Sequence, residues 1–398
     1  MQPDSPAKSG KLKPQVVVLG LVSLLNDSAS EMIYPLLPVF LTTTLGASAL
    51  IVGLIEGAAD ALASILKFIA GALSDRMTRR RPLITSGYTL AALSRGLIAA
   101  AHVWPTVLAA RLIDRAGKGI RSAPRDAMIA DVTPNEQRGK AFGFHRALDH
   151  TGAIVGPLLA MLLLDWLHYG ERTVFALSVI PGLIGVFLIL AFLKEPPHVP
   201  RQARVELAGI AELPPSFWAA ISAVALFSLA NSSDAFLLLQ AHVAGVPTAM
   251  LPALWAAHHV IKALFSTRAG ALSDRIDRRW LLVVGWTLYA VIYFIFPYAH
   301  SMTAFVVLFV VYAIPFTLSE GAERAWIAEH APAAIRGRSF GYYYLTNGVC
   351  VLAGTALFGW IYDRAGHAAA FQVGASLALV AAAWVLVMRV AGGRSRIA

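Results

Sequence analysis

Charge and cysteine are both scarce in this chain. Only 14% of its 398 residues are Asp, Glu, Lys or Arg, against about 25% in a typical soluble domain. Cys350 is the single cysteine, which excludes an internal disulfide and a thiolate metal cluster. Acids are fewer than bases, 23 against 33, for a net charge of +10 and a pI near 9.9. Such a balance can mark a nucleic-acid binder, but here the Lys and Arg residues concentrate in short connectors between apolar runs, as the positive-inside rule requires. No Gly-x4-Gly-Lys-Ser/Thr loop is present, which argues against direct ATP drive. No His-Glu-x-x-His pair occurs and no catalytic constellation is recognisable, so no enzyme activity and no cofactor are expected. His258, His259 and Lys262 do not suit a metal, because adjacent histidines on a helix point about 100° apart and the lysine repels a cation.

Apolar residues are plentiful. They make up 57% of the chain, and mean hydropathy is +0.64. They come in blocks of about 20 or more, the length that crosses ~30 Å of hydrocarbon as helix. The chain therefore reads as an all-α polytopic membrane protein with twelve transmembrane helices. Expected spans lie near 15–41, 48–71, 82–102, 105–131, 139–164, 173–193, 216–240, 248–270, 280–298, 302–329, 339–362 and 369–390. The first run contains Asn26, Asp27 and Glu31, unlike the uninterrupted core of a cleavable signal, and is read as a retained helix. With both termini in the cytoplasm, about 20 Lys and Arg fall in cytoplasmic segments, and Arg172 and Arg364 in outer loops. That asymmetry orients the chain in a cell membrane.

The sequence also repeats. Gly71–Arg80 reads GALSDRMTRR and Gly270–Arg279 reads GALSDRIDRR, 199 residues later. Ile129-Ala130-Asp131, Pro134 and the run Arg138–Gly143 return as Ile327-Ala328-Glu329, Pro332 and Arg336–Gly341, at an offset of 198. Two six-helix halves in parallel repeat follow, 1–194 and 216–398, joined by a polar, Pro-rich linker over 195–215. On these residues the chain resembles the major facilitator superfamily over essentially its whole length. The family's loop motif Gly-x-Leu-x-Asp-Arg-x-x-Arg-Arg is met at Gly71, Leu73, Asp75, Arg76, Arg79 and Arg80. It is met again at Gly270, Leu272, Asp274, Arg275, Arg278 and Arg279. Physically, Asp75 and Asp274 can accept from N–H groups at a helix N-terminus, and Arg76 and Arg275 can pair with acids on adjacent helices. Contacts of that kind would latch one conformation and release in another; the plainer reading is that Arg-rich loops only fix topology.

Helix 4 concentrates charge: Arg111, Asp114, Arg115, Lys118, Arg121, Arg125 and Asp126 share an arc of about 140° with Ser122. Such a stripe cannot face lipid, where each ion costs ~2.5–3.5 kcal/mol even on the insertion scale. The resemblance implies that helices 1, 4, 7 and 10 line a central cavity. Arg111, Arg115 and Lys118 are then expected to attract an anionic substrate or to tune a proton-carrying acid, while Arg121 and Arg125 read as structural. Permanent pairing with acids on neighbouring helices is the competing reading. Asp27, Glu31 and Asp149 are the candidate proton-coupling acids, with His145 beside Asp149, and Asp234 and Asn347 are candidates in the second half. Gly143, Gly152, Gly156 and Pro157 fit a family helix-5 pattern associated with antiporting exporters, although Ala160 and Met161 stand where a further glycine pair is usual.

The expected function is secondary active transport by alternating access, in a monomeric carrier exporting a small organic solute, anions included, against protons. Proton-symport uptake of an organic anion, or a receptor on the same fold, are the alternatives.

Overall fold

The computed structural model describes residues 12–134, 137–195, 213–273, 276–299, 301–332 and 336–394. Among these residues the chain is helical and has no strand, and twelve helical columns follow one another. In the first half, α1 is Pro14–Ile33, continued through Leu37–Val39 and Phe40–Thr44. Then come α2 (Ala49–Arg76), α3 (Arg81–Ala99), α4 (Trp104–Val132), α5 (Arg138–Met161, continued by Leu162–Trp166) and α6 (Glu171–Leu177 with Val179–Phe192). In the second half, α7 is Pro215–Ala230 with Ala235–Val243, followed by α8 (Leu251–Ser273), α9 (Arg278–Ile295) and α10 (Met302–Val311 with Ala313–His330). The last helical stretch, Arg336–Arg394, turns at Gly366, whose φ of 86° no helix allows. It is two helices, α11 over 336–365 and α12 over 367–394.

Eight stretches are long and apolar enough to cross a membrane by composition, and one of them, Ser339–Arg389, holds both α11 and α12. Columns α3, α4 and α8 fall short of that test; α4 does so because its charges dilute its apolar residues. Large apolar side chains such as Phe187 and Leu190, 61% and 58% exposed, point outward, as lipid-facing surface should. Several helices begin where local chemistry dictates. Pro14, Pro82, Pro105 and Pro215 occupy first-turn positions, where a missing N–H costs nothing. The Ser48 and Ser301 side chains accept from the N–H groups of Ile51 and Ala304.

The duplication is visible in packing as well as in sequence. A Cβ on Gly156 of α5 would collide with the Ser28 carbonyl of α1. One on Gly354 of α11, 198 positions on, would collide with the Leu229 carbonyl of α7. Arg80 pairs with Asp131 at the terminus-bearing face of the first half, and Arg278 pairs with Glu329 in the second. Both of those offsets are 198. The decapeptide aligns Arg80 with Arg279, so the repeat slips by one residue inside the Arg-Arg run, and the ion pairs locate the slip.

Each half also ties its last helix to the start of its third. Glu195 accepts from the N–H groups of Arg80 and Arg81. Arg389 of α12 donates to Asp277, which caps α9 by accepting from the Arg279 N–H. Partial burial raises the Asp277 carboxyl, but the hydrogen bonds from Arg279 and Arg389 outweigh it and hold it below the usual aspartate value. A depressed carboxylate contributes stability above its unfolded pKa and loses it as pH falls through the folded one. Asp277→Asn is therefore expected to cost no more than ~1 kcal/mol at pH 7, the ceiling for a solvent-screened pair. Its melting curve should converge on the wild-type curve as pH drops below about 3.9. A penalty that persists unchanged in acid would contradict this role.

Candidate functional site

Within the first half, α4 packs on α2 and α3, and the charged stripe meets its partners there. Arg111 forms a two-pronged bond with Glu56 of α2, Nε to Oε1 at 3.0 Å and Nη2 to Oε2 at 2.6 Å, with both side chains at least 96% buried. Asp114 sits among three guanidinium groups, Arg111 at 3.8 Å, Arg115 at 3.9 Å and Arg95 of α3 at 4.0 Å. Arg115 also reaches Asp60 of α2 at 3.4 Å. Arg95 donates to the Asn26 side-chain oxygen at 2.8 Å and so ties α3 to α1. Nearer the terminus-bearing face, the Arg121 guanidinium lies 4.5 Å from the Tyr88 ring centre, a cation–π distance. Arg125 bonds its neighbour Asp126 at 2.9 Å. Most of the stripe is thus neutralised inside the first half.

Lys118 differs from its neighbours. With Lys67 of α2 it lines a cavity of ≈ 300 Å³ between the two halves, and neither lysine has a carboxylate within ion-pair distance among the described residues. From the first half, Tyr34 and Asp60 also reach this cavity. From the second come Asn231 to Asp234, at the break in α7, with Phe316 of α10 and Asn347 of α11. Helices 1, 4, 7 and 10 all contribute, as the resemblance implied, and α2 and α11 join them. Asp234 accepts from the Tyr312 hydroxyl at 2.8 Å, and Asn347 reaches Ser228 at 3.4 Å.

The remaining candidates fall into two places. Asp27 accepts from Asn26 at 3.1 Å and lies where α5 crosses α1 at Gly152. On α5, His145 Nδ1 stands 3.5 Å from Asp149 Oδ2, while His145 Nε2 and Asp149 Oδ1 are buried without a hydrogen-bond partner among the described residues. Glu31 is elsewhere. It accepts from the Trp255 indole N–H of α8 at 2.7 Å, a bond that crosses between the halves. The helix-5 residues Gly152 and Gly156 pack on α1, Pro157 lies inside the helix, and Gly143 faces open space. Of the repeated loop motif, Asp274 and Arg275 lie outside the described residues, and at Gly71, Asp75, Arg76 and Gly270 only the backbone is described. Residues 196–212, most of the expected linker, also lie outside them.

Some functional candidates do not stand out in the sequence. Asp363, at the end of α11, accepts from the N–H groups of Ala49 at 2.9 Å and Leu50 at 2.8 Å. It caps α2 from the other half, on the face away from the termini. Gly53, Gly57 and Gly359 bring α2 and α11 into backbone contact beside it. The cavity residues of these helices, 60–67 and 347–351, all lie on the terminus-bearing side of that seam. An acid at a helix end reads as solvated unless its distant partner is known. Asp165 stands at its repeat position, 198 residues earlier, and was the available signal.

The Major Facilitator Superfamily profile matches residues 19–258 and 245–397. An MFS-type transporter of Methanocaldococcus jannaschii is 31% identical over 376 residues, which cover 93% of this chain and 94% of that one. Among solved structures, a nucleoside transporter superposes with a TM-score of 0.79 at 13% identity, over 94% of this chain and 99% of that one. A bacterial homologue of the lysosomal transporter Spinster, inward-facing and occupied, gives 0.76 at 17% identity, over 95% and 97%. A duplicated six-helix unit, a polar cavity between the copies and a profile match along both halves agree: the chain belongs to the major facilitator superfamily and is a secondary transporter.

Proposed function

We propose that the protein exports a small organic anion against proton entry, by exposing the cavity between its halves first to one side of the membrane and then to the other. The observation that carries this is the pair of lysines, Lys67 and Lys118, that line the cavity with no carboxylate within ion-pair distance of either among the described residues. An unpaired ammonium at membrane depth is costly, and an anionic solute is the partner that would offset it. The carrier works as a monomer in the cell membrane, with both termini in the cytoplasm. On that orientation the seam around Asp363 and the Glu31–Trp255 bond shut the outer face, and the cavity loads from the cytoplasm.

Asp27 and the His145–Asp149 pair are the groups for the returning proton. They lie on α1 and α5, with Arg125 of α4 close to both and Lys118 within electrostatic reach of Asp27, so that a change of charge on Asp27 would be felt by an anion bound at Lys118. The glycine face of α5, packed on α1, supports the export direction. Glu31 couples differently: as a carboxylate it accepts strongly from Trp255, and protonation would loosen that link between the halves. The duplicated loop motif serves as the latch on the opposite face.

Gate and coupling are separately testable. Asp363→Ala removes a helix cap of about 1 kcal/mol, enough to shift a two-state equilibrium several-fold. Spin labels at His102→Cys and Met302→Cys, in a Cys350→Ser background, should show a larger share of long distances in Asp363→Ala; an unchanged distribution would mean that the seam does not depend on this cap. For coupling, proteoliposomes are supplied with the low-molecular-weight fraction of a cell extract under an imposed pH gradient, and solute movement is read by mass spectrometry. Movement of an organic anion should collapse with a protonophore, and in Asp149→Asn it should lose its dependence on the gradient. Gradient-independent movement in the wild type would rule out proton coupling.

A further inference from the structure

The two halves present opposite charge to the cavity. On the first-half side the carboxylates are engaged: Glu56 by Arg111, Asp60 by Arg115, and Asp114 by three arginines. The uncompensated groups there are the ammonium groups of Lys67 and Lys118. On the second-half side the order is reversed. Asp234 has the Tyr312 hydroxyl as donor and no cation within ion-pair distance among the described residues. It stands at the break in α7, four residues beyond the end of Pro215–Ala230 and immediately before Ala235–Val243; the C-terminal end of the first piece carries partial negative charge that favours a cation in the break. The opposing helix end is already answered, since the Ala235 N–H donates to Ser233 Oγ at 3.2 Å. Asn231 and Asn347 supply neutral donors and acceptors between the poles.

We infer that the cavity takes a small zwitterion, an amine-bearing carboxylic acid. Its carboxylate lies toward Lys67 and Lys118 of the first half and its ammonium toward Asp234 of the second. This rests on reading the cavity as the transport site, and it narrows the substrate from organic anions in general to those with a second, cationic pole. A volume of ≈ 300 Å³ lies at the small end of ligand pockets, which run from about 300 to 1,000 Å³, room for a molecule the size of an amino acid or slightly larger. A ligand bridging the poles touches both halves at once. Binding would then draw the halves together, which a ligand held by the lysines alone would not do.

The test uses the full-length protein in lipid nanodiscs, with melting temperature as the readout across a concentration series. The probes are three ω-amino acids from 4-aminobutyrate to 6-aminohexanoate, together with butyrate and butylamine. The expected result is that at least one ω-amino acid binds about tenfold more tightly than butyrate or butylamine. Asp234→Asn should reduce that ligand to the affinity of butyrate, and Lys118→Ala to that of butylamine, with both variants melting cooperatively in the absence of ligand. If butyrate binds as tightly as the ω-amino acids, needs Lys118, and is indifferent to Asp234→Asn, the zwitterion is wrong while the organic-anion reading stands. If no probe binds through Lys118, the zwitterion inference is overturned; movement of an organic anion in the gradient assay then decides the broader reading independently.

Discussion

Arg111→Ala is expected to destabilise the protein by about 3–5 kcal/mol, the usual result of removing one partner of a buried ion pair. The cause is Glu56, whose two oxygens accept from Arg111 and whose side chain is buried. Asp114 would lose one of its three guanidinium neighbours at the same time. The double variant Glu56→Gln with Arg111→Met should recover most of the loss, because no ion is then left unpaired. Chemical unfolding of the single and double variants in detergent checks this. Equal loss in the single and the double would mean that packing, not charge, is what Arg111 supplies.

Lys118→Ala is expected to reduce transport by tenfold or more while leaving the melting temperature nearly unchanged. A charge-assisted hydrogen bond is worth about 1.5–3 kcal/mol, and every 1.4 kcal/mol is a factor of ten. Stability should barely respond, because an ammonium with no carboxylate within ion-pair distance among the described residues strands no partner when it is removed. The comparison with Arg111 is what makes the result informative: two cations seven residues apart on one helix have opposite profiles, one acting on stability and one on transport. Lys118→Arg should keep much of the activity. A Lys118→Ala protein that transports normally, or one that fails to fold, would put Lys118 among the structural cations.

Much of the architecture can be read from the sequence because duplication doubles the signal. The paired decapeptides, with Asp131 and Glu329 further along, give two halves and their register to within one residue. The slip itself needed geometry, since Arg79, Arg80, Arg278 and Arg279 look interchangeable until Arg80 is seen on Asp131 and Arg278 on Glu329. The charged face of α4 is equally plain, because lipid forbids it any other direction. How that face divides is not legible. Arg111, Arg115 and Lys118 lie on one stripe, and only the positions of Glu56 and Asp60 on α2 show which cations are consumed and which remains. Arg95 and Asp363 escape a sequence reading for a related reason. Each makes its bond to a segment distant in the chain, Asn26 and the start of α2, and periodicity within a helix carries no information about such partners.

The measurement that bears most directly on the central claim is solute movement through the purified protein. Proteoliposomes carrying wild type, Lys67→Ala or Lys118→Ala are exposed to the same extract fraction under a pH gradient, and their contents are compared with protein-free vesicles. The account predicts that at least one small organic anion is moved by the wild type and no longer by either lysine variant. If the wild type moved only solutes without an anionic group, or if both lysine variants moved the same solutes as the wild type, the cavity between the halves would not be the transport site described.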